Sequence, residues 1–204
     1  GQISDCTNSG EIYAHGWRTT DTGSCYTKVV KIGGVAGVAN KNVTNCTNAA
    51  GGNIDFLFTM TSGDLAAKYI GHSAYGTIGG VVASSGSDSY IVSGCNNNAE
   101  TMSLDMHMLP GNNSGASAGG VVGYLSSQIK NCSNNADVTI DSRIKNFYFG
   151  GVSGYTNITK TPENCNNYGD ITIDAGELED KSNQSNGIYF GGVFAHVQKC
   201  NLNI

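Results

Sequence analysis

The chain has 204 residues, of which 29 are Gly and 2 are Pro, and it carries a formal net charge of −5 with only 13% charged residues. Glycine without a G-X-Y period excludes collagen, 39% apolar residues exclude bulk disorder, and no apolar run approaches the ~18 residues that cross a bilayer. The 11 Lys and Arg residues are too few for a basic surface. We therefore expect no transmembrane segment and no nucleic-acid partner.

An internal repeat organises the chain, and its first landmark is a Gly-Gly pair followed by Val. The spacings between successive pairs are 46, 40, 31 and 41 residues. A Cys follows each pair, and an Asn lies two positions after nearly every one of these cysteines. The pairs are Gly33-Gly34, Gly79-Gly80, Gly119-Gly120, Gly150-Gly151 and Gly191-Gly192. Landmarks that stay in phase over the whole chain indicate a repeat architecture.

Each repeat unit contains three short apolar stretches separated by turn residues. In the stretch after the Asn turn, Val138 and Ile140 alternate with Thr139 and Asp141, which is the periodicity of a strand. A unit of this kind buries its apolar face only by stacking on the next unit. The sequence therefore predicts an all-β fold, a parallel β-helix (β-solenoid) of about five coils with three short strands each. A β-propeller is the alternative, but a blade needs four strands and the 31-residue unit is too short for them.

The repeated Cys and Asn positions are predicted to form columns along the stack. The Cys column consists of Cys6, Cys46, Cys95, Cys132, Cys165 and Cys200, and the Asn column contains Asn48, Asn97, Asn134 and Asn167. We expect buried free thiols that fill a narrow core, and amides that bond along the column. No CxxC or Cys/His spacing suggests zinc, and the role of Cys25, outside the register, stays open.

The segments between the third stretch and the next Gly-Gly pair vary from 9 to 24 residues, far more than the other connections. Insertions that gather at one corner of a repeat array often build its binding face. Exposed aromatic side chains there suit sugar stacking or a protein contact. The binding candidates, in chain order, are Trp17, Tyr26, Tyr69, His72 and Tyr75. The alternative for Trp17 is that it covers the open end of the solenoid.

An Asp recurs nine or ten positions after Cys, at Asp55, Asp105, Asp141 and Asp174. Strand alternation places these carboxylates on the outer face, one per coil. They are weak candidates for a cation site, because calcium wants six to eight oxygen ligands in one place. Capping of turn amides is the preferred interpretation, and we expect neither a bound metal nor a cofactor.

Catalysis finds little support in the sequence. The four histidines share no register, and no GxSxG, HExxH or Cys/His signature occurs. Outer carboxylates of a β-helix remain compatible with a polysaccharide lyase or hydrolase. We expect a protein that is not an enzyme, with the lyase or hydrolase and a passive stalk as alternatives.

The run Gly119-Gly-Val-Val-Gly-Tyr124, followed by Ile129-Lys-Asn-Cys132 and Asp137-Val138, resembles the GLUG-motif repeat of bacterial surface and secreted proteins. The resemblance covers most of the chain in four to five copies, although Val stands where the motif has Leu. It implies a β-solenoid at an extracellular or bacterial cell-surface address, in an adhesin-like protein. It carries over no catalytic residue, because the motif has none.

These observations predict one β-solenoid domain over residues 1–204, which begins and ends beside Cys landmarks as a piece of a longer array would. The expected function is non-catalytic adhesion or ligand binding, with a glycan or a host or cell-surface protein as the partner. The domain is expected to be a monomer.

Overall fold

A computed structural model describes residues 1–18, 29–60, 75–107, 115–142, 146–175 and 187–198. These residues contain 24 β-strands and no helix. Accordingly, no helix in this part of the chain is long and apolar enough to cross a membrane. All of the strand pairings are parallel, and each strand pairs with the strand one repeat away in the sequence.

The strands follow one another in five coils. Coil 1 holds β1 (Ile3–Ser4), β2 (Thr7–Asn8), β3 (Ile12–Arg18), β4 (Val29–Gly33) and β5 (Ala36–Ala39). Coil 2 holds β6 (Val43–Thr44), β7 (Thr47–Asn48), β8 (Ile54–Met60), β9 (Tyr75–Gly79) and β10 (Val82–Ser85). Coil 3 holds β11 (Ile91–Ser93), β12 (Asn96–Asn97), β13 (Thr101–His107), β14 (Gly115–Gly119) and β15 (Val122–Leu125).

The last two coils repeat this order. Coil 4 holds β16 (Gln128–Lys130), β17 (Ser133–Asn134), β18 (Asp137–Ser142), β19 (Asn146–Gly150) and β20 (Ser153–Asn157). Coil 5 begins with a single bridge from Glu163 to Lys130 and continues with β21 (Asn166–Asn167), β22 (Ile171–Ala175), β23 (Ile188–Gly191) and β24 (Phe194–Gln198).

Equivalent strands stack into five parallel sheets, here called ladders 1 to 5 in the order in which the chain visits them. Ladder 1 is β1-β6-β11-β16, ladder 2 is β2-β7-β12-β17-β21, ladder 3 is β3-β8-β13-β18-β22, ladder 4 is β4-β9-β14-β19-β23 and ladder 5 is β5-β10-β15-β20-β24. The predicted parallel β-helix of five coils is thus confirmed. The three apolar stretches of each coil are divided further, because the Gly-Gly pair separates ladder 4 from ladder 5 and the Cys turn separates ladder 1 from ladder 2.

A left-handed residue makes the turn between ladders 1 and 2. The residue before Cys has a positive φ in every coil: Asp5 (55°), Asn45 (54°), Gly94 (62°), Asn131 (53°) and Asn164 (51°). Asn, Asp and Gly are the residues that tolerate this conformation best, so the turn explains why the repeat reads Asn-Cys, Asp-Cys or Gly-Cys. In coils 2 to 4, the Cys that follows this turn is buried inside the coil.

Two apolar clusters fill the inside of the coils. The first lies between ladders 1 and 5 and contains Val43, Val92 and Ile129 with the buried cysteines. The second lies between ladders 3 and 4, where Ile140 and Phe149 are completely buried. In β18 the alternation of buried and outward residues follows the predicted strand period. Each fully buried aliphatic side chain contributes about 1.5–3 kcal/mol to folding relative to an exposed one.

Candidate binding face

The aromatic residues singled out from the sequence fall mostly beyond the structural description. Tyr26, Tyr69 and His72 lie outside the described residues. Trp17 belongs to β3 and pairs with Thr59, and Tyr75 begins β9 and pairs with Val29 and Gly115. The connections with the most variable lengths all join ladder 3 to ladder 4. A binding role for these five side chains stays a prediction.

The asparagines two residues after Cys form a continuous chain of hydrogen bonds through the stack. Each Nδ2 group donates to the Oδ1 atom of the Asn in the next coil, at 2.8 Å from Asn8 to Asn48 and 2.9 Å from Asn48 to Asn97. The chain continues at 2.9 Å from Asn97 to Asn134 and at 2.8 Å from Asn134 to Asn167. Asn48, Asn97 and Asn134 are completely buried. The column is a structural feature of the interior, out of reach of a large ligand.

The second glycine of each Gly-Gly pair packs directly against this Asn column. A Cβ atom added to Gly120 would lie 2.1 Å from the carbonyl oxygen of Gly151 and 2.3 Å from the side-chain amide carbon of Asn134. The same collision would occur at Gly34, Gly80 and Gly151. Glycine is required at these positions because a side chain would collide with the backbone of the next coil and with the amide column.

The cysteines form a second column, beside the first apolar cluster. Each thiol donates a hydrogen bond to the carbonyl oxygen two residues earlier, for example from Cys46 to Thr44 at 3.4 Å. Cys46, Cys95 and Cys132 are buried, Cys165 is partly buried and Cys6, in the first coil, is exposed. All five are free thiols. Cys25 and Cys200 lie outside the described residues.

Packing in the column also changes thiol acidity. The hydrogen bond with Cys95, together with burial, holds the pKa of Cys132 well above its ordinary value. Burial likewise raises the pKa of Cys46 and of Cys165. These groups stay protonated at neutral pH, which suits small apolar fillers of a narrow core and does not suit nucleophiles.

The predicted Asp column is interrupted in coil 2. Asp105, Asp141 and Asp174 stack in register along ladder 3. Asp55 pairs with Ser103, which lies two residues before Asp105, and the residue that pairs with Asp105 is Leu57. The expectation that Asp55 falls in register with the other three is wrong. The turn between β7 and β8 is two residues longer than the corresponding turns of coils 4 and 5, and one residue longer than that of coil 3. The described residues hold no group of three or more His, Cys, Asp or Glu side chains suited to a metal ion.

A cluster of partly exposed rings, which we name the aromatic face, lies where ladders 4 and 5 meet at the Gly-Gly corner. It consists of Tyr124, Tyr148, Tyr155, Tyr189 and His196. Along ladder 5, the ring of Tyr155 stacks on Tyr124 with centroids 5.2 Å apart, and the ring of His196 stacks on Tyr155 at 4.9 Å. Along ladder 4, Tyr189 stacks on Tyr148 at 4.9 Å.

The two columns of rings also contact each other across the corner. Tyr148 meets Tyr155 edge to face, with centroids 5.2 Å apart, and His196 lies edge-on to Tyr148 at 5.4 Å. Beneath them, the Ser117 hydroxyl donates to the carbonyl oxygen of Gly123, and the Tyr155 amide donates to that hydroxyl at 2.9 Å. Partial burial raises the pKa of the Tyr148 and Tyr155 hydroxyls, so these two phenols are uncharged at neutral pH.

The aromatic face was not identified as a site from the sequence, although a signal for it exists. Its members lie two residues before the first Gly of a pair (Tyr148, Tyr189) or five residues after it (Tyr124, Tyr155, His196). The corner folds these two positions onto each other. Rings occupy both positions in coils 4 and 5, and coil 3 has a ring only at Tyr124. The other residues at these positions are Lys31, Val38, Thr77, Ser84 and Ser117.

A second group of polar side chains borders a shallow open depression of about 230 Å³ on the outer side of ladder 3 in coils 1 to 3. His15 Nε2 lies 3.3 Å from Asp55 Oδ2. The Tyr13 hydroxyl donates to Glu11 at 2.7 Å, and this bond to a carboxylate raises the pKa of the Tyr13 hydroxyl. The group brings a phenol, an imidazole and two carboxylates together near the first coil.

Comparison with known proteins gives no relative: no family model, no curated protein and no solved structure matches the chain at a significant level.

Proposed function

We propose that this chain is a non-catalytic ligand-binding module of an extracellular, adhesin-like surface protein, and that it binds through the aromatic face. The observation that carries the proposal is the presence of five rings in two adjacent, mutually contacting columns on a regular β scaffold. Tyr supplies a large contact area, a polar hydroxyl and little conformational entropy, and it is enriched where proteins bind partners.

Several features support a binding role for this surface. Tyr189 remains 42% exposed although it stacks on Tyr148. The contacts among the rings hold them in place before a ligand arrives, so that little ordering entropy is lost on binding. The resemblance to the GLUG-motif repeat supports the extracellular and bacterial address, and the partner would be a glycan or a host or cell-surface protein.

The proposal is tested by surface binding with matched tyrosine variants. The wild-type chain, a Tyr148→Ala/Tyr189→Ala double variant and a Tyr168→Ala control are compared on printed glycans and on immobilised mucin. Tyr168 is 71% exposed and lies outside the aromatic face. We expect the double variant to lose about tenfold or more in affinity, a change of about 1.4 kcal/mol, and the control to bind normally. Equal binding by all three chains would contradict the proposal, and no binding by any of them would favour the passive stalk.

A polysaccharide lyase or hydrolase is the second candidate, and the group formed by Glu11, Tyr13, His15 and Asp55 favours it. A His-Asp pair and a Tyr hydroxyl bonded to a carboxylate, beside a depression, are side chains of the kinds used in general acid-base chemistry. Under this alternative, the chain releases new reducing ends from neutral or acidic polysaccharides, and Asp55→Asn slows the release. Absence of product from every polysaccharide tested removes the alternative.

A further inference from the structure

Resting on the proposed function, we propose that the aromatic face binds a linear, uncharged polysaccharide whose chain runs along the stacking direction, with one sugar residue for each of coils 3 to 5. The face spans these three coils, since Tyr124 lies in coil 3, Tyr148 and Tyr155 in coil 4, and Tyr189 and His196 in coil 5. The ligand class follows from the period, the charge and the exposed chemistry of the face.

The period of the rings matches a sugar polymer better than it matches a peptide. Centroids repeat every 4.9–5.2 Å along both columns. This is close to the length that one sugar adds to an extended β-1,4-linked chain. A peptide strand laid along the same line presents side chains on one side about every 6.6 Å, so its side chains fall out of phase with the rings within two coils.

The charge of the site indicates an uncharged polymer. In coils 3 to 5, the outward side chains that the structure describes on ladders 4 and 5 are hydroxyls, rings and amides, with no Lys, Arg, Asp or Glu among them. The net charge of −5 also disfavours a polyanion, such as a uronate polymer or a nucleic acid. No residue described at this surface would neutralise a carboxylate on each sugar.

The face offers the two kinds of contact that a neutral sugar needs, which are apolar ring surface and hydrogen-bonding groups. Within a column each ring covers part of the face of the next, so open ring faces lie at the ends of the columns, at Tyr189 and on the side of Tyr124 that faces the small residue Ser84. Amides flank the rings, since Asn157 pairs with Gln198, which accepts a hydrogen bond of 2.7 Å from the Tyr155 hydroxyl. The open faces of the end rings suit the apolar face of a sugar, and the amides and phenols along the columns suit sugar hydroxyls.

The experiment is a chain-length series measured by isothermal titration calorimetry. The probes are cello-, xylo- and manno-oligosaccharides of one to six sugars, with oligogalacturonates as the acidic counterpart. For the chain type that fits, we expect affinity to rise about tenfold or more between one and three sugars and then to level off, because each coil adds ring edges and polar groups along the polymer until the face is filled. Added salt should leave this affinity unchanged.

Two variants test whether one sugar residue lies on each coil. Tyr124→Ala removes the coil 3 contact, so the gain between two and three sugars should disappear while binding of the shortest chains persists. Tyr168→Ala should reproduce the wild-type series. Far-ultraviolet circular dichroism and the urea midpoint of each variant check that the fold is retained.

The outcomes separate this inference from the function on which it rests. Affinity that is independent of chain length, binding restricted to the acidic oligosaccharides, or binding of none of the neutral series would overturn the inference. If mucin binding still depends on Tyr148 and Tyr189 in that case, the aromatic face is a binding surface for another ligand and the proposed function stands. If mucin binding does not depend on them either, both proposals fall.

Discussion

The asparagine two residues after Cys makes two kinds of contact. Along the stack, its amide bonds the amides of the neighbouring coils. Within its own coil, it also bonds the backbone of the turn that follows, as when Asn134 Nδ2 donates to the carbonyl oxygen of Ala136 at 3.0 Å. Asp and Ser lack the carbonyl and NH₂ pair that both contacts require, and Gln would place the amide too far from the backbone. The residue type therefore follows from its position.

Removing one amide from the middle of this column should destabilise the chain. In Asn97→Ala, Asn48 loses an acceptor at 2.9 Å and Asn134 loses a donor at 2.9 Å, and both of these groups are buried. A buried polar group left without its partner costs about 1–3 kcal/mol. We expect the free energy of unfolding to fall by at least about 2 kcal/mol, measured by urea denaturation followed by circular dichroism.

The neighbouring Asn98 provides the matched control. It is exposed, and its side chain accepts one hydrogen bond, from Asn135 at 2.6 Å. Asn98→Ala should change the free energy of unfolding by less than about 0.5 kcal/mol, as surface substitutions usually do. An equal effect of the two substitutions would show that the buried column contributes no special stability.

At the scale of the element, the Gly-Gly corner is the feature on which both the core and the candidate face depend. It brings ladders 4 and 5 so close that a Cβ at Gly123 would lie 2.5 Å from the carbonyl oxygen of Ile78, in the preceding coil. This contact allows Tyr148 and Tyr155, seven residues apart in sequence, to meet edge to face. A wider corner would separate the two columns of rings.

The need for glycine at this corner can be tested by the same substitution in an inner coil and in the last coil. Gly120→Ala places a Cβ atom 2.1 Å from a backbone oxygen, whereas Gly192, the equivalent glycine of coil 5, has no described atom within 4 Å of an added Cβ. Overpacking a folded core costs about 1–3 kcal/mol. We expect Gly120→Ala to lower the free energy of unfolding by about 3 kcal/mol or more, or to prevent folding. The free energy of unfolding of Gly192→Ala should lie within about 0.5 kcal/mol of the wild-type value. Comparable losses at both positions in thermal or urea unfolding would contradict this account.

The sequence contained enough information to predict the coils but less to predict the site. The spacing of the Gly-Gly pairs and of Cys specified the parallel stacking, and the alternation around Val138 and Ile140 specified which side chains face inward. The register of Asp55 was missed because a strand position depends on turn length. Residues 49–53 make the turn of coil 2 two residues longer than the turns of coils 4 and 5 and one residue longer than that of coil 3. The aromatic face was missed because it joins residues of two ladders, and only the geometry of the corner shows that they meet.

At the scale of the whole molecule, stability is expected to vary along the stack. In a repeat architecture each coil contacts only its neighbours, so an inner coil is held on two sides and a terminal coil on one. Exposure follows this pattern: Ile3 of coil 1 and Val193 of coil 5 are only partly buried, while Val43, Val92 and Ile129 of coils 2 to 4 are completely buried. Local opening should therefore be easiest at the two ends.

The Cys column supplies one natural reporter of opening per coil. Alkylation of the folded chain with iodoacetamide, followed site by site by mass spectrometry, should modify Cys6 first and Cys165 next. Cys46, Cys95 and Cys132 should react only as coils 2, 3 and 4 open. A raised pKa further slows Cys46 and Cys132, because the thiolate is the reacting species. Urea-unfolded chain, in which all sites should react at similar rates, provides the control. Rapid modification of Cys95 or Cys132 in the folded chain would show that the inner coils open as easily as the ends, contrary to the nearest-neighbour picture.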